Sequence, residues 1–200
     1  MKINYNIPTT KEDITLQQYI IFDAINSDPD LDENFKLKRT LEIFCSIPFD
    51  KIELLKQTEI DTILSHLLPL LSAQYELHPT FTFDGVKYGL IPNFSKDLLA
   101  GEFIDLDVFA EQKEWLKLMS ILYRPITFEK RGQYLIEPYS GSHTNFKDLP
   151  FHYFLGCLSF FLNLFHSLAE VTQRFTEQEI QNLTSQLKDN SKWLTMDINT

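Results

Sequence analysis

Along most of this chain the apolar residues recur every three or four positions, the period of a helix packed on one side; in three short stretches they alternate, the period of a strand. The first alternation, Ile3, Tyr5 and Ile7 against Lys2, Asn4 and Asn6, predicts a short strand closed by Pro8. Helical spacing then takes over. Thr15 followed by Gln18 has the form of a capping box, with Ile14 and Tyr19 placed to staple across it, so a helix should start at Thr15 and end near Ser27-Asp28-Pro29. A second helix is predicted from about Asp32 to Ser46, with Leu37, Leu41, Phe44 and Cys45 on one face and Pro48 as its stop. The same start signal recurs at Phe49-Asp50, and Thr58 with Asp61 should open the following helix. There Ile60, Ile63, Leu64, Leu67, Leu68 and Leu71 trace a stripe, interrupted by Pro69, which should kink the helix or end it early.

The pattern changes after residue 79. Thr80 to Phe83 and Val86 to Ile91 are β-rich runs around Asp84-Gly85, a pair suited to the positive φ angles of a type I′ turn. A short helix should follow Asn93-Phe94-Ser95 and break at Gly101, with another turn or two from Glu102 to Ala110. The helix Glu114 to Tyr123 should turn Trp115, Met119, Leu122 and Tyr123 inward and stop at Pro125. A second hairpin is predicted from Ile126 to Ile136, turning near Arg131-Gly132, and the two hairpins can pair into one small antiparallel sheet. From Leu149 to Ala169 there is no charged side chain. His152, Gly156, Ser159, Asn163 and His166 form a polar or small seam opposite Tyr153, Phe154, Leu158, Phe161 and Leu168. A buried central helix is the expected reading, ahead of a self-association helix and a membrane span. A last capping box at Phe175 to Ile180 should start a terminal helix through Leu187, with Trp193 and Leu194 folding back. The fold class expected is α+β, mainly α: a single globular domain over 1–200, helical, with two short β-hairpins.

Composition narrows the function. The net charge is −10 with no cluster of unpaired cations, and Lys36, Lys38 and Arg39 sit beside Asp32, Glu33 and Glu42, so nucleic acid is not an expected partner. Seventeen phenylalanines predict a well-filled core, with an aromatic contact surface as the alternative. Cys45 and Cys157 lie in apolar runs with no neighbouring ligand residue, as buried free thiols in a reducing cytosol would, and the amino terminus lacks the apolar stretch of a signal peptide.

Candidate chemistry centres on Ile91 to Tyr139. Glu102 and Asp105, three apart, share a helix face and could hold a hard cation or divide acid and base roles; caps and partners of Arg124 are the expected role, with Asp107 pointing elsewhere. A buried Arg124 at a helix carboxyl end would need Glu102, Asp105 or Glu137 as its counter-charge. His66, His78 and His143 are isolated, and His152 and His166 are too far apart along a helix to share a metal. There is no nucleophile elbow, and the six glycines are scattered singly rather than in a phosphate loop. No catalytic, cofactor-binding or metal-binding residue is expected. The organising and contact set is Glu102, Asp105, Tyr123, Arg124, Glu137 and Tyr139, with Phe103 and Trp115 expected in the core.

Ile91-Pro92-Asn93, Gly101 to Leu106, Leu116 to Pro125 and Ile136-Glu137-Pro138-Tyr139, in that order, resemble a family of small proteins of tailed bacteriophages, including phages of Bacteroidetes hosts. The likeness covers about the central quarter of the chain, and the flanking helices only in pattern. It implies a non-enzymatic role as a tail assembly chaperone-like protein that shields or positions a larger virion protein, a phage tail or connector protein being the partner. The alternatives are a structural virion component and, further off, an enzyme with a carboxylate and arginine site. Self-association is compatible with it; a membrane is not expected. The location implied is the host cytoplasm during infection, or else the virion.

Overall fold

In a computed structural model, residues 5–94, 98–161, 178 and 181 are described. The contacts of the chain divide it into two compact units, 1–157 and 158–200. The first unit contains the helices α1 (Leu16–Asn26), α2 (Glu33–Cys45), α3 (Gln57–Ser72), α4 (Ala100–Glu111) and α5 (Trp115–Leu122). It also contains strands β1 (Thr80–Phe83), β2 (Val86–Leu90), β3 (Tyr123–Lys130) and β4 (Gln133–Ile136), and a helical stretch, α6, over residues 151–157. In the second unit residues 158–161, 178 and 181 are helical. The predicted terminal helix to Leu187, the fold-back of Trp193, and the seam residues Asn163 and His166 otherwise lie outside the described residues.

The start signals act as their chemistry demands. Gln18 N–H donates to Thr15 Oγ1 at 3.2 Å and Thr15 N–H to Gln18 Oε1 at 2.9 Å, closing both halves of the capping box of α1. Gln18 also donates from Nε2 to the Ile43 carbonyl at 2.8 Å, tying α1 to α2. Asp32 accepts from the N–H groups of Asn34 and Phe35 at the head of α2, which Ser46 closes in the left-handed region at φ 56°.

Four local expectations are corrected. Tyr5 to Pro8 form no strand; Asn6 N–H instead donates to the Cys45 carbonyl at 3.1 Å, an isolated bond to a helix end. Phe49–Leu54 is a short 3-10 turn, and α3 starts two residues earlier than a cap at Thr58 suggests, because Glu59 rather than Asp61 reaches back, to accept from Lys56 N–H at 2.9 Å. Pro69 does not end α3, which runs on to Ser72: three residues from the end, its missing N–H removes a single backbone bond, the one to the Ser65 carbonyl. Gly101 sits inside the first turn of α4 rather than breaking it.

Both hairpins form at the predicted dipeptides, Asp84-Gly85 at φ 48° and 77° and Arg131-Gly132 at φ 52° and 78°. They join through β2 and β3 into one antiparallel sheet of order β1-β2-β3-β4. The fold is α+β and mainly α, as expected. One face of the sheet is aromatic: Phe81 stacks on Tyr88 at 5.6 Å, and Tyr123 and Phe146 pack against them. A second cluster joins Ile14, Leu41, Phe44, Cys45, Ile63, Leu67 and Phe151 across α1, α2, α3 and α6.

Over residues 151–157 the uncharged segment is a buried central helix, with Phe151, His152, Phe154 and Cys157 all within a few per cent of full burial. Its polar and small seam faces inward. Gly156 lies under the chain at Glu76: a Cβ there would meet the Glu76 carbonyl oxygen at 2.1 Å. Among the described residues no helix is long and apolar enough to cross a membrane.

Candidate functional site

Helix α5 passes into β3 without a loop. Arg124 precedes Pro125, and a residue before proline is driven out of the helical region, so the chain extends from Tyr123 onward (φ −115°, ψ 118°) and Pro125 lies within β3. Arg124 is therefore the second residue of a strand, not the last of a helix, and the predicted helix-dipole contribution is absent. By strand alternation its side chain leaves the face opposite Tyr123. The Tyr123 ring is wholly buried in the aromatic layer, with its hydroxyl donating to the His78 carbonyl at 2.8 Å; burial raises its pKa far above the usual phenol value.

On the other face Arg124 meets α4. Its Nη1 donates to Glu102 Oε1 at 2.8 Å, with Glu102 1% and Arg124 7% exposed. The second carboxylate oxygen, Oε2, accepts from Leu99 N–H at 2.8 Å, capping α4. One turn on, Asp105 Oδ2 accepts from the Tyr139 hydroxyl at 2.6 Å. Burial, and then the bond to that carboxylate, push the Tyr139 phenol up to about 12. Of the predicted set, Glu102, Asp105, Arg124 and Tyr139 thus come together, Tyr123 stands on the opposite face, and Glu137 is exposed, contributing its main-chain N–H to the Pro125 carbonyl at 2.9 Å. Asp105 pairs with tyrosine rather than with Arg124, and Asp107 is exposed as expected.

These two tethers set the rotation of α4. Residues 102, 105, 106 and 109 point to the body of the unit, and residues 103, 104, 107, 108 and 111 point to solvent, as a 100° step requires. The outward side carries large apolar side chains. Phe103 is 62% exposed, Ile104 60% and Val108 37%, with Leu99 at the cap 61% exposed. Phe103 is therefore not a core residue, contrary to the sequence expectation: the buried ion pair turns Glu102 inward and its neighbour outward. Trp115 is half-buried, its ring 5.4 Å from Phe154. Asp107 and Glu111 continue the row that Phe103 begins, beside the row of Ile104 and Val108. Such a face offers apolar area beside negative charge.

Two other places were candidates for chemistry. Glu102 and Asp105 are engaged by Arg124 and Tyr139, and no group of three or more metal-ligating side chains occurs among the described residues. An open groove of about 480 Å³ is lined by Ile25, Leu31, Phe35, Arg39 and Phe49, with Arg39 ion-paired to Glu42; it gathers no convergent acid and base. The exposed face of α4 is the candidate group that periodicity alone missed. Its signal was the pair Phe103-Ile104 directly after an acidic residue that a distant arginine could claim.

No protein-family model, curated protein or solved structure matches this chain.

Proposed function

We infer that this chain is a non-enzymatic bacteriophage assembly protein, tail assembly chaperone-like, which shields or positions a larger virion protein through the outer face of α4. The observation that carries this reading is the mounting of that helix with Phe103 and Ile104 in water. Burying Phe103 and Ile104 would each contribute roughly 1.5–3 kcal/mol, yet the fold turns Glu102 and Asp105 inward and holds them with Arg124 and Tyr139. A helix whose large apolar side chains Phe103 and Ile104 are held in water while buried polar bonds fix its rotation is suited to covering apolar surface on another protein. The net charge of −10 keeps such a protein dispersed while that face is open. The phage assignment itself rests on the motif order of the central segment, and the partner it implies is a tail or connector protein.

The test is quantitative mass spectrometry of purified particles beside the infected-cell lysate. Abundance in the lysate with absence from particles is the expected result. Retention in particles at fixed copy number would overturn the helper reading in favour of a structural virion component.

A further inference from the structure

The surface of α4 specifies more than apolar contact. Phe103, Asp107 and Glu111 lie in one i, i+4 row along the exposed side, and Ile104 and Val108 in the next. Among the carboxylates of α4, Glu102 is neutralised by Arg124 and Asp105 accepts from Tyr139, whereas Asp107 and Glu111 are exposed on the outer ridge. No basic residue belongs to this helix. The face is thus an acidic pair, Asp107 and Glu111, with Phe103 heading its row and the apolar row of Ile104 and Val108 beside it.

Building on the assembly-protein reading, we propose that the outer face of α4 is the docking site for a cationic amphipathic helix of the partner, whose Lys or Arg residues straddle the Asp107–Glu111 ridge while its apolar side chains cover Phe103, Ile104 and Val108. Charge complementarity selects this occupant. A second copy of the chain would lay the same two carboxylates against themselves, and like charges brought together across an interface are strongly disfavoured. An anionic membrane surface is disfavoured for the same reason. A partner helix with cations at the ridge gains on both terms, and its approach is accelerated by the field of a chain at net charge −10.

The experiment uses the full chain and two designed peptides of about 18 residues, five helical turns, with the same leucine and phenylalanine stripe and either Lys or Glu on its flanks. Binding is followed by calorimetry at two salt concentrations, with wild type, Asp107→Lys/Glu111→Lys and Phe103→Ser/Ile104→Ser. The Lys peptide should bind, weaken with salt, and lose at least about tenfold in affinity with either double variant, while the Glu peptide should bind at least about tenfold more weakly than the Lys peptide. Both variants change only exposed side chains, so circular dichroism should show them folded. Equal binding of the two peptides, or indifference to the Asp107→Lys/Glu111→Lys change, would overturn the charge assignment. Dimerisation of the wild type that Phe103→Ser/Ile104→Ser abolishes would make a second copy the occupant. Particle retention at fixed copy number with peptide binding intact would remove the helper reading and leave this site standing; absence from particles with no Lys-peptide binding would do the reverse.

Discussion

At Glu102 one carboxylate meets two demands: Oε1 neutralises a buried guanidinium and Oε2 satisfies the free N–H of Leu99 at a helix start. Arg124 Nε has no hydrogen-bond partner, so Glu102 is the charge that makes burial of this arginine tolerable. Glu102→Ala should therefore cost about 3–5 kcal/mol in denaturant unfolding, because it strands a buried cation and uncaps α4. Replacing both partners by apolar residues of similar volume, Glu102→Leu with Arg124→Met, should recover most of that loss. If Glu102→Ala alone costs less than about 1 kcal/mol, the pair is not buried as described. Tyr139→Phe removes a single bond to Asp105 and should cost about 1 kcal/mol by the same measurement.

At the scale of elements, two glycines on helices make opposite predictions for the same substitution. Gly156 of α6 lies beneath the Glu76 carbonyl, so a methyl group there must push two backbones apart; Gly156→Ala should destabilise by about 2 kcal/mol or more. Gly101, in the first turn of α4, has nothing within 4 Å of a Cβ, and Gly101→Ala should stabilise by up to about 1 kcal/mol through helix propensity and a less flexible unfolded chain. Thermal unfolding of the two variants side by side separates these outcomes, and a loss at both would mean that α4 is covered. What the sequence discloses divides along the same line. Thr15 with Gln18, Asp84-Gly85 and Arg131-Gly132 are local devices whose chemistry is complete within four residues, and each acts where it was expected. That a buried Arg124 takes a carboxylate follows from electrostatics, though not which of three is chosen, since that depends on which of them α4 presents to Arg124 in the fold. The exposure of Phe103 was illegible because α4 is apolar on most sides, and the choice of inner face is made by bonds to Arg124 and Tyr139, 22 and 34 positions removed in sequence. Pro125 reads in sequence as a helix stop after Tyr123, yet α5 ends at Leu122 and the proline is absorbed into β3.

Across the molecule, acidity and burial act on stability in different pH ranges. His152 is 2% exposed, its ring lies among Tyr75, His78 and Tyr153, and its Nδ1 has no hydrogen-bond partner. Burial, and then the nearby Lys11, hold its pKa below the ordinary histidine value, with Glu12 pulling the other way. The folded protein therefore keeps this ring neutral while the unfolded chain takes up a proton, so stability is fully present above pH ~6.5 and falls as the pH drops through the ordinary histidine range. Denaturant unfolding between pH 7.5 and 5 should show that slope, and His152→Phe should flatten it; an unchanged slope would place its origin elsewhere. Asp13 acts lower still: N–H groups of Thr9 and Thr10 donate to its carboxylate and depress its pKa, so its contribution is lost only as the pH falls below the usual aspartate range. The central claim, however, concerns α4 and the apolar side it shows to water. Equilibrium denaturation of Phe103→Ser/Ile104→Ser beside Phe151→Ala tests it most directly. The wholly buried Phe151 should cost about 3–5 kcal/mol, while the α4 pair together should change stability by less than about 1 kcal/mol. A loss at the α4 pair comparable to that at Phe151 would contradict the account, because those side chains would then belong to the core and not to a surface that meets a partner.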